Sequence, residues 1–145
     1  MPSDVAIVIL DASSAIDRRE LEERLHGYNM DRTGYRDGRD LSCFLRDAEG
    51  ELVAGIDGFT WGGCAHIEML WVAEPRRGKG LGRRLLEAAE AEAAARGCVT
   101  AILTSHEFQA PDFYARLGYG IVGTAEDAPV GHRLHTFQKR LEPER

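Results

Sequence analysis

The segment Ala65–Arg96 constrains the fold of this chain more than any other segment. It consists of an apolar strand-like run (AHIEMLWV), a glycine-rich basic turn (AEPRRGKGLG) and an alanine-rich helical run (RRLLEAAEAEAAAR). Gly78, Gly80 and Gly82 leave the backbone of the turn accessible and free to adopt positive φ. A strand, a glycine turn and a helix N-terminus in this order present backbone N–H groups to a phosphate. The segment therefore predicts a site for an anionic, phosphate-bearing ligand at the start of the helix.

Cationic side chains are concentrated around this turn. The five cations are Arg76, Arg77, Lys79, Arg83 and Arg84. The whole chain carries a net charge of −6, which disfavours nonspecific binding to nucleic acid or an anionic membrane. The cluster is also compact, whereas a nucleic-acid surface spreads its cations along a face. We therefore favour a small anionic ligand, with a solvated cationic face on an ordinary glycine turn as the alternative.

The glycine spacing excludes the two commonest nucleotide motifs. A dinucleotide-binding turn requires G-x-G-x-x-G, and counting from Gly78 the third glycine position is occupied by Arg83. A nucleotide P-loop requires Gly-Lys-Ser or Gly-Lys-Thr, and neither occurs in the sequence. Another kind of phosphate ligand is expected.

Length and cysteine content indicate a single domain spanning residues 1–145, long enough to bury a core without disulfides or a structural metal. Cys43, Cys64 and Cys98 are widely spaced and form no C-x-x-C pair, which predicts free thiols in a reducing compartment. The N-terminal region contains no long apolar run, so we expect neither a signal peptide nor a membrane span and predict a cytoplasmic protein.

The N-terminal third predicts a strand and a helix. Val5–Leu10 is a short apolar run typical of a strand. Ser13 or Ser14 is a suitable cap for a helix that runs to about His26 and is stopped by Gly27. The following polar residues 28–40 show no periodicity, and a loop and a short second helix remain equally open.

The remaining elements alternate in a way that predicts a mixed α/β sheet. An antiparallel meander is expected first, followed by a helical crossover to a parallel strand. The predicted elements are strands at Leu41–Arg46, Leu52–Thr60 and up to Val72, a helix after Gly82, a strand at Cys98–Leu103, a helix at Ala110–Leu117, and strands at Tyr119–Gly123 and His132–Leu141. The glycine turn then lies at the carboxyl end of a strand, where open sheets bind ligands.

Two motifs resemble the GNAT superfamily of N-acetyltransferases. The first is R-x-x-G-x-G, with Arg77, Gly80 and Gly82 following the strand that ends at Val72. The second is QAPDFYARLGY at Gln109–Tyr119, which is similar to the C-terminal helix of these enzymes. The resemblance implies a central mixed sheet of about six to seven strands flanked by about four helices, with acetyl-CoA as co-substrate, no metal, and a primary amine as acceptor.

The resemblance also implies a role for particular residues. Pantetheine would bind along the backbone of Leu70, Trp71 and Val72. The pyrophosphate would lie over Arg77, Gly78, Lys79, Gly80, Leu81, Gly82 and Arg83. Glu107 occupies the position of an asparagine that contacts the cofactor in many family members, and the carboxylate there is a departure from the family pattern. Two consequences are open: the carboxylate changes how pantetheine is held, or it faces the acceptor amine.

Acetyl transfer requires an acid and a way to obtain a neutral amine. Tyr114 matches the family's tyrosine that protonates the leaving thiolate, with simple core packing as the alternative. Glu68 is the first candidate for a base that acts directly or through water, and His66, two residues away, is the second. The His-x-Glu pair has no third metal ligand, so a metal site is not expected.

The acceptor site is less constrained. In this superfamily the N-terminal helix-and-loop region, here about Leu21–Arg39, contributes to acceptor specificity. The candidate residues are Tyr28, Asn29, Asp31 and Tyr35, and an acidic pocket for a cationic amine would draw on Asp31, Asp57 and Glu68. The secondary candidates are Ser105, His106 and Glu107, and His132 and His135 are expected to be structural or on the acceptor side. The competing function is a noncatalytic acyl-CoA-binding module of the same fold, and both monomer and homodimer remain open.

Overall fold

The computed structural model describes residues 5–144, and the chain separates into two compact units that meet between Arg36 and Asp37 in the sequence. The first unit contains one helix, and the second contains a six-stranded sheet and two further helices.

Helix α1 spans Ala15–Thr33 and is longer than the sequence indicated. The Ser14 hydroxyl caps it by accepting a hydrogen bond from the Asp17 amide, as predicted. The expected stop at Gly27 is wrong, because one glycine inside a helix costs only about 1 kcal/mol relative to alanine. The helix ends instead at Gly34, whose φ of 79° places it in the left-handed conformation and lets its N–H bond to the Met30 carbonyl.

The predicted strand at Val5–Leu10 is also wrong. These residues have no regular secondary structure, and the side chains of Ile7 and Ile9 are each 89% exposed. An apolar run forms a strand only when a neighbouring strand accepts its backbone hydrogen bonds. None of the strand pairings among residues 5–144 includes this run.

The sheet in the second unit has the order β1-β2-β3-β4-β6-β5. Its strands are β1 (Arg39–Arg46), β2 (Leu52–Trp61), β3 (Cys64–Val72), β4 (Thr100–His106), β5 (Gly120–Ala125) and β6 (Leu134–Arg140). β3 and β4 are parallel and every other neighbouring pair is antiparallel. This arrangement confirms the predicted meander, the parallel crossover and the mixed α/β class.

Helices α2 (Leu81–Ala95) and α3 (Pro111–Arg116) follow β3 and β4, respectively. α2 buries four apolar residues at helical spacing: Leu85, Leu86, Ala89 and Ala93. They share one core with Phe137 of β6 and with the strands beneath them. Residues 5–144 contain three α-helices and a short 3-10 turn at Glu74–Arg76. The family resemblance had implied about four helices.

Strands β3 and β4 separate before either one ends. Their register pairs Cys64–Ile67 with Thr100–Leu103 and goes no further, although β3 continues to Val72 and β4 to His106. Each strand stays paired with its other neighbour over this distance. The sheet is therefore split at the carboxyl ends of its two parallel strands.

Candidate functional site

A cavity of 510 Å³ opens where the carboxyl end of β3 meets the start of α2 and the whole of α3. Its lining residues are Leu70, Trp71, Val72, Arg76, Arg77, Gly78, Gly80, Leu81, Gly82, Arg83, Ala110, Phe113, Tyr114, Arg116 and Leu117. Nine of the eleven residues assigned to cofactor binding from the sequence thus line one cavity together with Tyr114.

The glycine turn brings bare backbone to this cavity. Gly78 and Gly80 have φ of 77° and 79°, which other residues adopt only with strain. Gly80 is the N-cap of α2 and offers no side-chain oxygen to the helix amides. The first N–H groups of a helix have no partner within it, and they carry its partial positive charge. An anion at the cavity mouth is therefore favoured by these amides.

Four arginines also line the cavity. Arg77 donates from Nε to the Val72 carbonyl at 2.8 Å, which ties the turn to the end of β3. Arg83 donates to Glu87 Oε1 at 2.7 Å, and this bond raises the pKa of the Arg83 guanidinium. Arg76 and Arg116 add two more cations to the lining. Four guanidinium groups suit a ligand with more than one phosphate.

Tyr114 lines the cavity and is 8% exposed. Its ring packs edge-on against Phe113 and Tyr119 and contacts Phe137 at 5.5 Å between centroids. Burial raises the pKa of the Tyr114 hydroxyl, which therefore stays protonated at neutral pH. The residue is held firmly enough to act as a structural ring and retains a proton that it can donate.

Glu68 is the extra residue of a β-bulge in β3. Asp57 pairs with Met69 and Gly58 with Ile67, so Glu68 has no partner on β2. A bulge reverses the alternation of side chains along a strand. On the N-terminal side of the bulge Ile67 faces the core, and on its C-terminal side Leu70 and Val72 pack against the core.

The exposed carboxylate of Glu68 stands at the point where β3 and β4 separate, and it does not line the cavity. His66 lies close by, on the strand face opposite the core. Its ring stacks on Phe59 with a centroid separation of 4.5 Å and an angle of 8°. Burial lowers the pKa of His66, and the negative charge of Glu68 partly opposes this shift. Among residues 5–144 no group of three or more His, Cys, Asp or Glu side chains is placed to hold a metal ion.

Two predicted cofactor residues, Lys79 and Glu107, are absent from the cavity lining. Glu107 Oε1 lies 3.6 Å from His132 Nδ1, and the Glu107 amide donates to the Arg133 carbonyl. The neighbouring Ser105 is buried and donates to Gln109 Oε1 at 3.2 Å. Glu107 is thus directed to the loop before β6.

The proposed acceptor residues fall into different places. Tyr28, Asn29, Asp31 and Tyr35 belong to the first compact unit, where Asp31 forms an ion pair with Arg36 at 2.6 Å. Asp57 lies on β2 and accepts a hydrogen bond from the Ser42 hydroxyl of β1. His135 of β6 contacts the Thr124 hydroxyl at 2.9 Å.

The cavity has five further lining residues to which sequence reasoning gave no catalytic or cofactor role: Arg76, Ala110, Phe113, Arg116 and Leu117. Four of them lie on or next to α3, within the Gln109–Tyr119 motif, in which only Tyr114 was assigned a chemical role. A cation two residues after that tyrosine was visible in the sequence. Only the packing of α3 across the end of β3 shows that Arg116 reaches the same cavity as the glycine turn.

No helix among residues 5–144 combines the length and apolarity needed to cross a membrane.

Comparison with known proteins agrees with this geometry. The model of the "Acetyltransferase (GNAT) family" matches residues 10–119. A curated acetyltransferase of Agrobacterium fabrum is 31% identical over 134 residues, covering 92% of this chain and 98% of the relative. Blasticidin-S acetyltransferase of Streptomyces morookaense is 37% identical over 114 residues, covering 76% and 84%. The crystal structure of a protein from Agrobacterium tumefaciens, assigned as an acetyltransferase, has a TM-score of 0.86 at 30% identity, covering 94% and 100%.

Proposed function

Because this chain belongs to the GNAT family of acetyltransferases, we propose that it transfers the acetyl group of acetyl-CoA directly to a primary amine of its acceptor. Family membership makes the chain an acyl-CoA-dependent acetyltransferase. The identity of the acceptor and the direct transfer to nitrogen are the proposed parts.

The single observation that carries the proposal is one cavity lined both by the glycine turn with its arginines and by the buried Tyr114. The glycine amides, the start of α2 and the arginines suit the pyrophosphate of CoA. Beyond Ile67, β3 has no partner on its β4 side, so its backbone groups there are available to the pantetheine amides. A thioester extending along Leu70–Val72 would then point into the split between the strands.

The chemistry assigns one task to each candidate. The acceptor nitrogen must lose a proton before it attacks the thioester carbonyl carbon, because an alkylamine has a pKa near 10.4. Glu68, or His66 in its neutral form, takes this proton directly or through water. As the C–N bond forms and the C–S bond breaks, the Tyr114 hydroxyl donates its proton to the leaving sulfur. The new amide nitrogen then sheds its extra proton, which returns to the Tyr114 oxygen directly or through water.

The first test concerns acyl-CoA binding by calorimetry. Arg77→Ala removes a guanidinium from the cavity lining, whereas Arg84→Ala removes a nearby guanidinium, in the first turn of α2, that does not line the cavity. We expect micromolar binding of acetyl-CoA by the wild type, a loss of about tenfold or more for Arg77→Ala, and little change for Arg84→Ala. Absence of binding by the folded wild-type protein would contradict the proposal.

The second test concerns turnover. CoA thiol release is measured with a panel of amines that includes alkylamines, diamines, amino acids, peptide N-termini and blasticidin S, the compound for which one relative is named. Tyr114→Phe should lower kcat while leaving the Kd of CoA unchanged. In the wild type, kcat should hold up to pH values above 10, because the pKa of Tyr114 is raised above its usual value of about 10. Tight acetyl-CoA binding without transfer to any amine would favour the noncatalytic acyl-CoA-binding function instead.

A further inference from the structure

Four residues next to the end of β4 form a compact group outside the cavity, here called the β4-end cluster: His106, Glu107, Phe108 and His132. The His106 ring stacks on Phe108 with centroids 4.9 Å apart, and Phe108 meets His132 edge-on at 5.1 Å. Glu107 completes the group through its contact with His132 at 3.6 Å. The cluster combines two imidazoles, a phenyl ring and a carboxylate.

The cluster lies beside the split in the sheet. His106 is the last residue of β4, at the same end of the sheet as Val72, because β3 and β4 are parallel. Ser105 is buried, so alternation places the His106 side chain on the opposite strand face from the core. Two residues beyond Phe108, Ala110 already lines the cavity. The cluster therefore borders the split on the side away from the buried tyrosine.

The chemistry of the cluster suits a cation. Phe108 is 58% exposed, and its ring and the Glu107 carboxylate both contact the His132 ring. Within residues 5–144, Glu107 forms an ion pair with His132. No arginine or lysine of this part of the chain pairs with the Glu107 carboxylate. The nearby Arg133 is held by Glu126 at 3.2 Å. A carboxylate beside an exposed aromatic ring is a common way to bind an ammonium or guanidinium group.

The reacting nitrogen arrives as an ammonium group and gives up its proton to Glu68 or His66 in the proposed function. That nitrogen must be neutral when it attacks, so a fixed positive charge on the acceptor must belong to a second group. We propose that the β4-end cluster binds this second cationic group, and that the acceptor is therefore an amine that also carries an ammonium or guanidinium. The inference rests on the proposed function and names the substrate class of the same site.

The experiment compares matched acceptors. 1,4-Diaminobutane and agmatine carry a second cation, whereas n-butylamine and 4-aminobutanol do not. For the wild-type enzyme, kcat/KM should be about tenfold or more higher for the two dications, the size of one charge-assisted contact. Glu107→Gln should abolish this preference through KM, with little change in kcat and none in the Kd of acetyl-CoA. Phe108→Leu should weaken the preference and retain the carboxylate.

Glu49→Gln is the control, because it removes one negative charge at the exposed turn between β1 and β2. Equal effects of Glu49→Gln and Glu107→Gln, or equal kcat/KM for dications and monoamines, would overturn the inference. A weaker acetyl-CoA affinity in Glu107→Gln would also overturn it and return Glu107 to the cofactor.

The two proposals fail differently. If acetyl-CoA binds and no amine is acetylated, the proposed function fails, and binding of 1,4-diaminobutane and n-butylamine to the CoA-loaded protein is compared by NMR titration. Tighter binding of the diamine that depends on Glu107 would still support the cation site. Equal affinities would remove it.

Discussion

Gly58 of β2 lies so close to the backbone of His66 that a β-carbon on Gly58 would stand 2.0 Å from the His66 carbonyl oxygen. This contact is next to the place where the β2–β3 register shifts around Glu68. A close backbone approach at a bulge admits only glycine. The absence of one side chain on β2 thus permits the bulge that exposes the candidate base on β3.

Gly58→Ala should destabilise the protein by about 3 kcal/mol, at the upper end of overpacking losses, because backbone and not a flexible side chain must move. Urea unfolding measures this change. Gly120→Ala is the control, since a β-carbon there meets nothing within 4 Å, and it should change stability by less than about 0.5 kcal/mol. Similar losses of stability in the two variants would show that the close approach of Gly58 to His66 does not exclude a side chain at position 58.

Gly82→Ala should separate stability from ligand affinity. The new methyl would make ordinary contacts, at 3.5 Å with Phe113 and 3.6 Å with Val72, so the fold accepts it and gains about 0.5 kcal/mol in helix propensity. It also stands on the cavity wall beside the free amides, and acetyl-CoA should bind about tenfold more weakly. Gly27 is a glycine inside α1, so Gly27→Ala should raise the stability of the protein without changing its affinity for acetyl-CoA. Calorimetry and thermal unfolding read the two quantities.

The carboxylate of Glu90 joins two elements of the second unit. It accepts hydrogen bonds from Tyr119 Oη at 2.7 Å and from Lys139 Nζ at 2.8 Å, and its side chain is 13% exposed. Lys139→Met should cost about 2 kcal/mol, less than a fully buried pair because the Lys139 side chain is 27% exposed. A Glu90–Lys139 double-mutant cycle measures the coupling. Additive losses would contradict a direct interaction.

The same group predicts an alkaline limit to stability. Burial and then the bond to Glu90 raise the pKa of Tyr119 in the folded state. A raised folded-state pKa contributes stability that is fully present below the unfolded pKa, about 10, and that is lost as pH rises above it. The free energy of unfolding should therefore fall above pH 10 in the wild type. The fall should be smaller in Tyr119→Phe, and identical profiles would contradict the prediction.

His66 predicts an acid limit. Its pKa is lowered in the folded state, chiefly by burial, so its contribution is fully present above the unfolded value of about 6.5 and is lost as pH falls toward the folded pKa. Below pH 6.5 the wild type should lose stability faster than His66→Gln. In Glu68→Gln, the loss should be larger than in the wild type, since the carboxylate that favours the charged imidazole is gone. Urea unfolding from pH 7 to pH 5 checks both signs.

Local sequence signals determined the elements that carry the family character. The glycine turn at Gly78 and Gly80, the helix beside it, and the connection between the strands predicted at Leu41–Arg46 and Leu52–Thr60 each depend on residues close in the chain. These elements form within a few residues of their predicted positions. Their physical basis is local, because backbone torsion preferences and helix capping act within a few residues. Because local signals set each element, the order of the elements along the chain could be predicted, and that order indicated the mixed α/β class.

Tertiary structure decided what depends on distant partners. The apolar run Val5–Leu10 has the composition of a strand but does not pair with the sheet. Gly27 lies inside α1, which is capped at Gly34 instead. Simple alternation along β3 would place Met69 and Trp71 on the same face as the buried Ile67. The bulge at Glu68 instead turns both side chains away from the core. Arg116 joins the cavity only through the packing of α3. Registers, bulges and cavity walls arise from contacts between residues far apart in sequence, and no local pattern encodes them.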